Sequence, residues 1–292
     1  MTDQAGGRRP AGYAAILGLA NSGKSSLFNS LVDAEISPVT EHPGTTRVPL
    51  TGISDSPGGQ VCFFDTPPLD SGPPRELLAW MDLACLLADA RRIEADISSA
   101  PAVDSLRSFS GKPVILVLTH VDYFPVPLHR ALASQAARHG DFAAVRPVCG
   151  PSGSGVADLL KAVLMQLPAR RRLFPEGCRT LHSERFLVSE MIRTQLFTVL
   201  PTDIASTTAV QIEEFSIRDG KTYVRANLHV SRHASKGMVI GRKGQTLQKI
   251  MDSTSAAAGS LLGHPLSLDL WVKVRESWPE NPHDLLEFGY VG

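Results

Sequence analysis

Gly18-Leu19-Ala20-Asn21-Ser22-Gly23-Lys24-Ser25 sets two glycines five residues apart and follows the second with lysine and serine. The apolar run Tyr13-Ala14-Ala15-Ile16-Leu17 before it reads as a buried strand, and Ser26-Leu27-Phe28-Asn29-Ser30-Leu31-Val32 after it has the apolar spacing of a helix. A glycine-rich turn between strand and helix suits phosphate. The backbone can wrap an anion so that successive N–H groups point inward, and the helix N-terminus adds positive potential. In that arrangement Lys24 reaches the β- and γ-phosphates of a nucleotide and the Ser25 hydroxyl ligates Mg²⁺. Gly18, Asn21, Ser22, Gly23, Lys24, Ser25 and Ser26 are the nucleotide-binding candidates of this stretch.

Outward from this loop, the chain of 292 residues has room for two domains, each with its own core. Its 29 basic and 29 acidic side chains cancel, so no overall basic excess advertises nucleic acid. The balance is uneven, however: residues 1–167 carry 13 basic and 16 acidic groups, and residues 168–292 carry 16 and 13. Cys62, Cys85, Cys149 and Cys178 show neither metal-site nor redox spacing, so a reduced cytoplasmic setting is the default. No apolar run approaches bilayer length, and residues 1–10 lack the apolar core of a secretion signal. No constellation supports covalent catalysis, and the nine histidines are scattered without paired metal spacing.

Residues 1–12 read as a flexible leader. After the first helix, Ile36-Ser37-Pro38-Val39-Thr40-Glu41-His42-Pro43-Gly44-Thr45-Thr46-Arg47 is rich in turn formers and hydroxyls. At this distance from a phosphate loop a threonine can supply a second Mg²⁺ ligand whose position depends on the γ-phosphate; Thr46 is the first choice and Thr45 the fallback. Residues 48–54 and 60–64 read as a hairpin across Asp55-Ser56-Pro57-Gly58-Gly59. The second strand ends at Asp65-Thr66-Pro67-Pro68, where Asp65 can hold Mg²⁺ through water. Further apolar strands end at Asp89, at Thr119-His120-Val121-Asp122 and, over residues 143–148, at Cys149-Gly150; a helix over 156–167 closes the domain. This alternation predicts a mainly parallel sheet with helices on both faces and ligands at the carboxyl ends of its strands.

From residue 168 the chain turns polar, basic and proline-containing, as a domain boundary does. A helix over about 183–200, strands over 209–218 and 222–231 joined at Asp219-Gly220, and a strand over 267–274 follow. Between the later elements, Gly241-Arg242-Lys243-Gly244 separates a short helical segment from a helix over 245–260. Two glycines let backbone approach single-stranded RNA while Arg242 and Lys243 meet phosphates, and Lys236 and Ile240 beside them complete the RNA-binding candidates. Ile240, Leu247 and Ile250 are read as core and groove wall, and Trp271 as core rather than a base-stacking platform.

These residues resemble the Era family of GTPases over nearly the whole chain. The resemblance rests on the phosphate loop, Ser37-Pro38-Val39 through Thr45-Thr46-Arg47, Asp65-Thr66-Pro67, Leu173-Phe174-Pro175, Ser183-Glu184-Arg185-Phe186, the segment from Gly237 to Gly244, and Leu270-Trp271-Val272-Lys273-Val274. It implies an α/β P-loop GTPase domain over 13–167, a linker over 168–182 and a small α+β type II KH domain over 183–292. It further implies GTP and GDP as ligands, Lys24, Thr46 and Asp65 as the catalytic set, Ser25, Thr46 and Asp65 as the Mg²⁺ set, and K⁺ at Asn21 as an added charge stabiliser. The implied partner is single-stranded small-subunit ribosomal RNA near its 3′ end during 30S subunit assembly. A cytoplasmic monomer with at most peripheral membrane contact is the matching expectation.

The departures from the family pattern are as informative. The family's switch-II motif ends in a glycine whose N–H bonds the γ-phosphate, and Pro68 has no N–H to give. The segment from Leu69 to Leu83 is shorter than the family's switch II. The base-recognition motif Asn-Lys-x-Asp stands here as Thr119-His120-Val121-Asp122. Asp122 keeps the carboxylate that accepts two hydrogen bonds from guanine, Thr119 can do part of an amide's tethering, and His120 can stack on the base. Cys149-Gly150 replaces Ser-Ala, with the Gly150 N–H still available for the base. Guanine preference at reduced affinity is expected. Two readings stand: a GTP-hydrolysing switch that controls RNA engagement, and an RNA-binding assembly factor whose G domain no longer cycles.

Overall fold

Strands whose side chains are apolar at every position need cover on both faces, and the fold supplies it. The computed structural model describes residues 7–37, 49–72, 75–109 and 111–288. They form two compact units, the chain passing from one to the other between Leu181 and His182. The strands of the first are β1 (Arg9–Leu17), β2 (Leu50–Ser56), β3 (Gly59–Asp65), β4 (Leu83–Asp89), β5 (Val114–Thr119), β6 (Ala144–Pro147) and β7 (Ala169–Arg170). Their order is β2-β3-β1-β4-β5-β6, antiparallel only at β2–β3 along that path. β4 and β5 are buried at every position, as central strands of a doubly covered parallel sheet must be. The helices are α1 (Lys24–Val32), α2 (Arg75–Trp80), α3 (Ile93–Ile97), α4 (Ala100–Ser108), α5 (Val126–Ala136) and α6 (Val156–Gln166). Because all but one of the sheet's long strands run the same way, their carboxyl ends, and the loops that follow, lie along one rim.

Two sequence expectations change at the seam between the leader and the linker. The leader was expected to run to residue 12, but β1 already begins at Arg9. β4 pairs with β1 only over Ala14–Leu17, which leaves the N-terminal end of β1 open on that side. β7, drawn from the expected linker, closes it in antiparallel register, Arg9 opposite Arg170 and Pro10 opposite Ala169, and the Ala11 N–H donates to the Pro168 carbonyl at 3.0 Å. Arg170 then grips Asp82 at 2.7 and 3.1 Å, and the same carboxylate accepts the Tyr13 N–H at 2.9 Å. The remainder of the expected linker is also tied down. The buried Gln60 accepts the Leu173 and Phe174 N–H groups at 2.9 Å each and donates to the Phe174 carbonyl at 3.1 Å. Thr180 Oγ1 donates to the Thr51 carbonyl at 2.6 Å. Residues 168–181 are therefore part of the first unit rather than a free connector.

The second unit starts with α7 (Glu184–Val199), capped by Ser183, whose Oγ accepts the Phe186 N–H at 3.2 Å. α8 (Thr202–Ser206), β8 (Thr208–Arg218), β9 (Lys221–Val230), α9 (His233–Ile240), α10 (Gln245–Leu262), β10 (Leu266–Val274) and α11 (Pro282–Glu287) complete it. The sheet order is β10-β9-β8, with β9 parallel to β10 and antiparallel to β8. Val188, Ile192 and Leu196 of α7 and Ile250 and Ala258 of α10 pack with Val224, Ala226, Leu228 and Leu270 of the sheet. Trp271, expected in the core, is 57 % exposed and donates from Nε1 to Asp269 at 3.0 Å. Side chains alternate along a strand, so with Leu270 facing the helices Trp271 must face away from them.

The Gln60 contacts generate a prediction. Replacing Gln60 with Ala strands two backbone N–H groups where water is largely excluded, so unfolding free energy should fall by about 2 kcal/mol, and cleavage within residues 171–181 should accelerate. Urea titration and limited proteolysis measure the two effects, and an unchanged midpoint would refute the clamp.

Candidate functional site

The loop after β1 is shaped by two left-handed residues, Asn21 at φ 59° and Gly23 at φ 85°. Gly23 places Lys24 at the start of α1, where its buried ammonium donates to the Gly18 and Leu19 carbonyls at 3.0 and 2.8 Å. Burial lowers the pKa of Lys24, opposed by the nearby charges of Asp65 and then Asp70. Ser25 Oγ donates to Asp65 Oδ2 at 2.9 Å, and Ser37 Oγ donates to the same oxygen at 2.6 Å. Asp65 is fully buried, which raises its pKa; the Ser37 and Ser25 hydroxyls and the Lys24 charge act the other way. Its Oδ1 has no hydrogen-bond partner among the described residues. An orphaned, buried carboxylate oxygen beside a serine hydroxyl offers the hard oxygen donors that Mg²⁺ takes. The residues present thus fit that ion. Thr46 and Thr45 lie outside the described residues.

On the base side, Thr119 ends β5, and its Oγ1 donates to the Ala88 carbonyl of β4 at 3.4 Å. A side-chain carbon built on Gly23 would lie 3.7 Å from the Thr119 methyl, so this motif abuts the phosphate loop. His120 is left-handed at φ 55° and leads into a single turn, Val121–Tyr123, that carries the exposed Asp122. His129 holds the turn through Nε2, 2.9 Å from the Val121 carbonyl and 3.0 Å from that of Phe124. Gly150 approaches α1 so closely that a Cβ there would come within 3.1 Å of the Leu27 nitrogen, and its carbonyl accepts Ser30 Oγ at 2.7 Å. Gly18 through Ser26, Thr119 and Gly150 are thus gathered around the N-terminus of α1, with the turn that carries Asp122 following directly from Thr119.

Sequence reasoning missed several residues here. Asn29 accepts the Ile36 and Ser37 N–H groups at 3.1 and 2.8 Å and donates to the Ser37 carbonyl at 2.8 Å, which places the Ser37 hydroxyl on Asp65. Its position on the inner side of α1, one turn beyond Ser25, was the available signal. Asp89 is buried beneath the base motif and binds the Arg91 Nε at 2.9 Å. Burial acts to raise its pKa, but hydrogen bonds from Arg91 and the nearby His120 hold it below the usual range. Arg91 in turn lies 4.5 Å over the Tyr123 ring. The residues after Pro68 form one 3-10 turn, Leu69–Ser71, before the six-residue α2. The Leu69 N–H donates to the Gly18 carbonyl at 3.1 Å, and Asp70 Oδ2 accepts the Ala20 N–H at 2.9 Å.

In the second unit, α9 ends at Ile240 and the turn Gly241 to Gly244 leads into the eighteen-residue α10. Lys236, Arg242 and Lys243 are exposed and Ile240 is half-buried. Gly241 is required by its own fold, because a Cβ there would sit 2.1 Å from Thr246 Oγ1. Gly244, at φ 77°, faces open space. The turn therefore leaves bare backbone and two cations beside a helix N-terminus, an arrangement that accepts a phosphodiester chain. The His283, Asp284 and Glu287 grouping has metal-ligand spacing, but Arg275 occupies Asp284 at 2.6 Å and Glu287 at 3.4 Å.

Comparison with known proteins agrees with both domain types. The family model described as 50S ribosome-binding GTPase matches residues 13–120, and the KH domain model matches residues 203–279. GTPase Era of Stenotrophomonas maltophilia is 34% identical, covering 96% of this chain and 97% of its own, and GTPase Era of Trichlorobacter lovleyi is 32% identical with the same coverage. Among solved structures, a single-residue variant of Aquifex aeolicus Era bound to GDP·AlF4⁻ aligns with a TM-score of 0.86 at 27% identity, covering 97% of this chain and 100% of the other. Era in complex with MgGDPNP and nucleotides 1506-1542 of 16S ribosomal RNA aligns equally well, with TM-score 0.86, 27% identity and the same coverage. With curated members 32% and 34% identical to it over 96% of its length, the chain belongs to the Era family of GTPases.

Proposed function

We propose that this protein binds and slowly hydrolyses GTP, and binds the 3′ end of small-subunit ribosomal RNA through its KH domain to assist 30S assembly. The observation that carries the nucleotide half is the buried Asp65, which ties Ser25 to the end of β3 and keeps one oxygen unpartnered. Lys24 neutralises charge on the β- and γ-phosphates, and the loop N–H groups orient them. Mg²⁺, held by Ser25, Asp65 and Thr46, would supply further charge neutralisation at the phosphates. No side chain of the described site is placed as a general base, so catalysis rests on positioning and charge, with Lys24, Thr46 and Asp65 as its residues. Gly18, Asn21, Ser22, Gly23 and Ser26 line the phosphates; Thr119, His120, Asp122 and the Gly150 N–H take the base. Lys236, Ile240, Gly241, Arg242, Lys243 and Gly244 take the RNA. Among the described residues no helix is long and apolar enough to cross a membrane. The setting that fits these ligands is a monomer in the cytoplasm.

A second reading is an RNA-binding assembly factor with a non-cycling G domain, favoured by Pro68, which has no N–H to offer a γ-phosphate. Titration with fluorescent GTP, GDP and ATP analogues separates the readings. Guanine nucleotides should bind more tightly than ATP, and Asp122→Asn should erase the preference by removing about 2 kcal/mol, roughly thirtyfold in affinity. Equal binding of ATP and GTP would end the guanine assignment.

Hydrolysis should run faster in K⁺ than in Na⁺ if Asn21 helps hold that ion, and the difference should vanish in Asn21→Ala. Turnover absent in both buffers would leave the second reading.

For RNA, Gly244→Asp places a carboxylate in the open space beside the turn and should abolish binding without unfolding the unit. Gly241→Ala, facing Thr246, should instead lower the melting temperature. Replacing Arg242 and Lys243 with Ala should flatten the salt dependence by up to about two units of slope. Filter binding across a salt series reads both, and undiminished affinity in folded Gly244→Asp would remove the RNA site.

A further inference from the structure

The turn after Pro68 brings a carboxylate onto the phosphate loop. Asp70 Oδ2 accepts the Ala20 N–H at 2.9 Å, and the adjacent Leu69 N–H, donating to Gly18 at 3.1 Å, fixes the turn against the same loop. Leu69 is itself buried, so the turn is anchored by packing as well as by hydrogen bonds. Asp70 also acts on the Lys24 ammonium, where it ranks after Asp65 among the charges that oppose burial. A carboxylate bonded to a loop amide, with its charge acting on that lysine, competes for the groups that phosphates would use under the nucleotide-binding reading. Resting on the nucleotide-binding reading above, the geometry points to Asp70 as a specificity-determining residue that disfavours GTP relative to GDP, so that the γ-phosphate is sensed by displacing this carboxylate from the Ala20 N–H.

The mechanism follows from charge. Two anions sharing one cluster of N–H groups and one ammonium repel, and the better-held anion expels the other. GDP ends at its β-phosphate and brings no third phosphate to the turn. GTP must either dislodge Asp70 or bind against it, while the Leu69 N–H and its buried side chain still hold the turn to the loop. A switch of this kind needs no backbone N–H at position 68. It is driven by repulsion of Asp70, where an N–H at that position would act by attraction, and this is compatible with proline there.

The test uses the full chain, fluorescent GDPNP and GDP, and two substitutions that separate charge from hydrogen bonding. Asp70→Asn keeps an acceptor for the Ala20 N–H but removes the charge, whereas Asp70→Glu keeps the charge. The ratio of the GDPNP to the GDP dissociation constant should fall about threefold to tenfold in Asp70→Asn, the order expected of like charges close together at an exposed site, and stay near the unmodified value in Asp70→Glu. The drop should shrink as salt is raised, as an effect of charge does and loss of packing does not. An unchanged ratio in Asp70→Asn, or an equal shift of both constants, overturns the inference. If neither nucleotide binds the unmodified chain, the nucleotide-binding reading fails and takes this inference with it.

Discussion

The buried carboxylate of Asp65 is the constraint on which the nucleotide site depends. Burying a carboxylate is costly unless hydrogen bonds compensate, and the Ser25 and Ser37 hydroxyls both converge on one of its oxygens. That requirement joins three parts of the chain: the end of β3, the first turn of α1, and the residue that precedes the segment expected to carry Thr46. Asn29 completes the join by holding the backbone on both sides of Ser37. A change at any of these residues therefore acts on the end of β3 and the start of α1 together.

The remaining rim is built on the same scheme of shared anchors. Thr119 ties the end of β5 to β4 and stands beside Gly23, where an added Cβ would lie 3.7 Å from its methyl, so the ends of β1 and β5 share a support. Asp89, the last residue of β4, holds Arg91 against the ring of Tyr123 beneath the turn that carries Asp122. Where the family pattern loses a donor at Pro68, the turn still docks through the next N–H, of Leu69.

In the second unit the two glycines of the RNA turn answer different demands. Gly241 makes room for Thr246 within the protein, while Gly244 leaves room outside it. On the far side of the sheet from α7 and α10, Trp271 stands in a field of ion pairs: Arg225 lies 3.8 Å from Glu214 and 3.6 Å from Asp269, and Lys273 lies 3.0 Å from Glu213. These pairs leave little net charge on that face, whereas Arg242 and Lys243 have no carboxylate partner among the described ion pairs. The glycine turn thus carries more uncompensated positive charge than that face.

The loop between β1 and α1, the alternation of strands and helices, and the turn from Gly241 to Gly244 were legible in the sequence by itself because each is encoded by neighbouring residues. Glycine spacing sets a loop, and apolar period sets a strand or helix, without reference to distant chain. The remaining features were decided only by tertiary structure. β7 pairs with β1 across some 160 residues because β4 is too short to cover the start of β1, and this makes strand out of an expected leader and linker. Gln60 finds Leu173 and Phe174, and Asp70 finds Ala20, through folding alone. Trp271 was misplaced because alternation along β10 tells which residues share a face but not which face the helices cover. Contacts between distant segments depend on where whole elements pack, and local sequence carries no record of that.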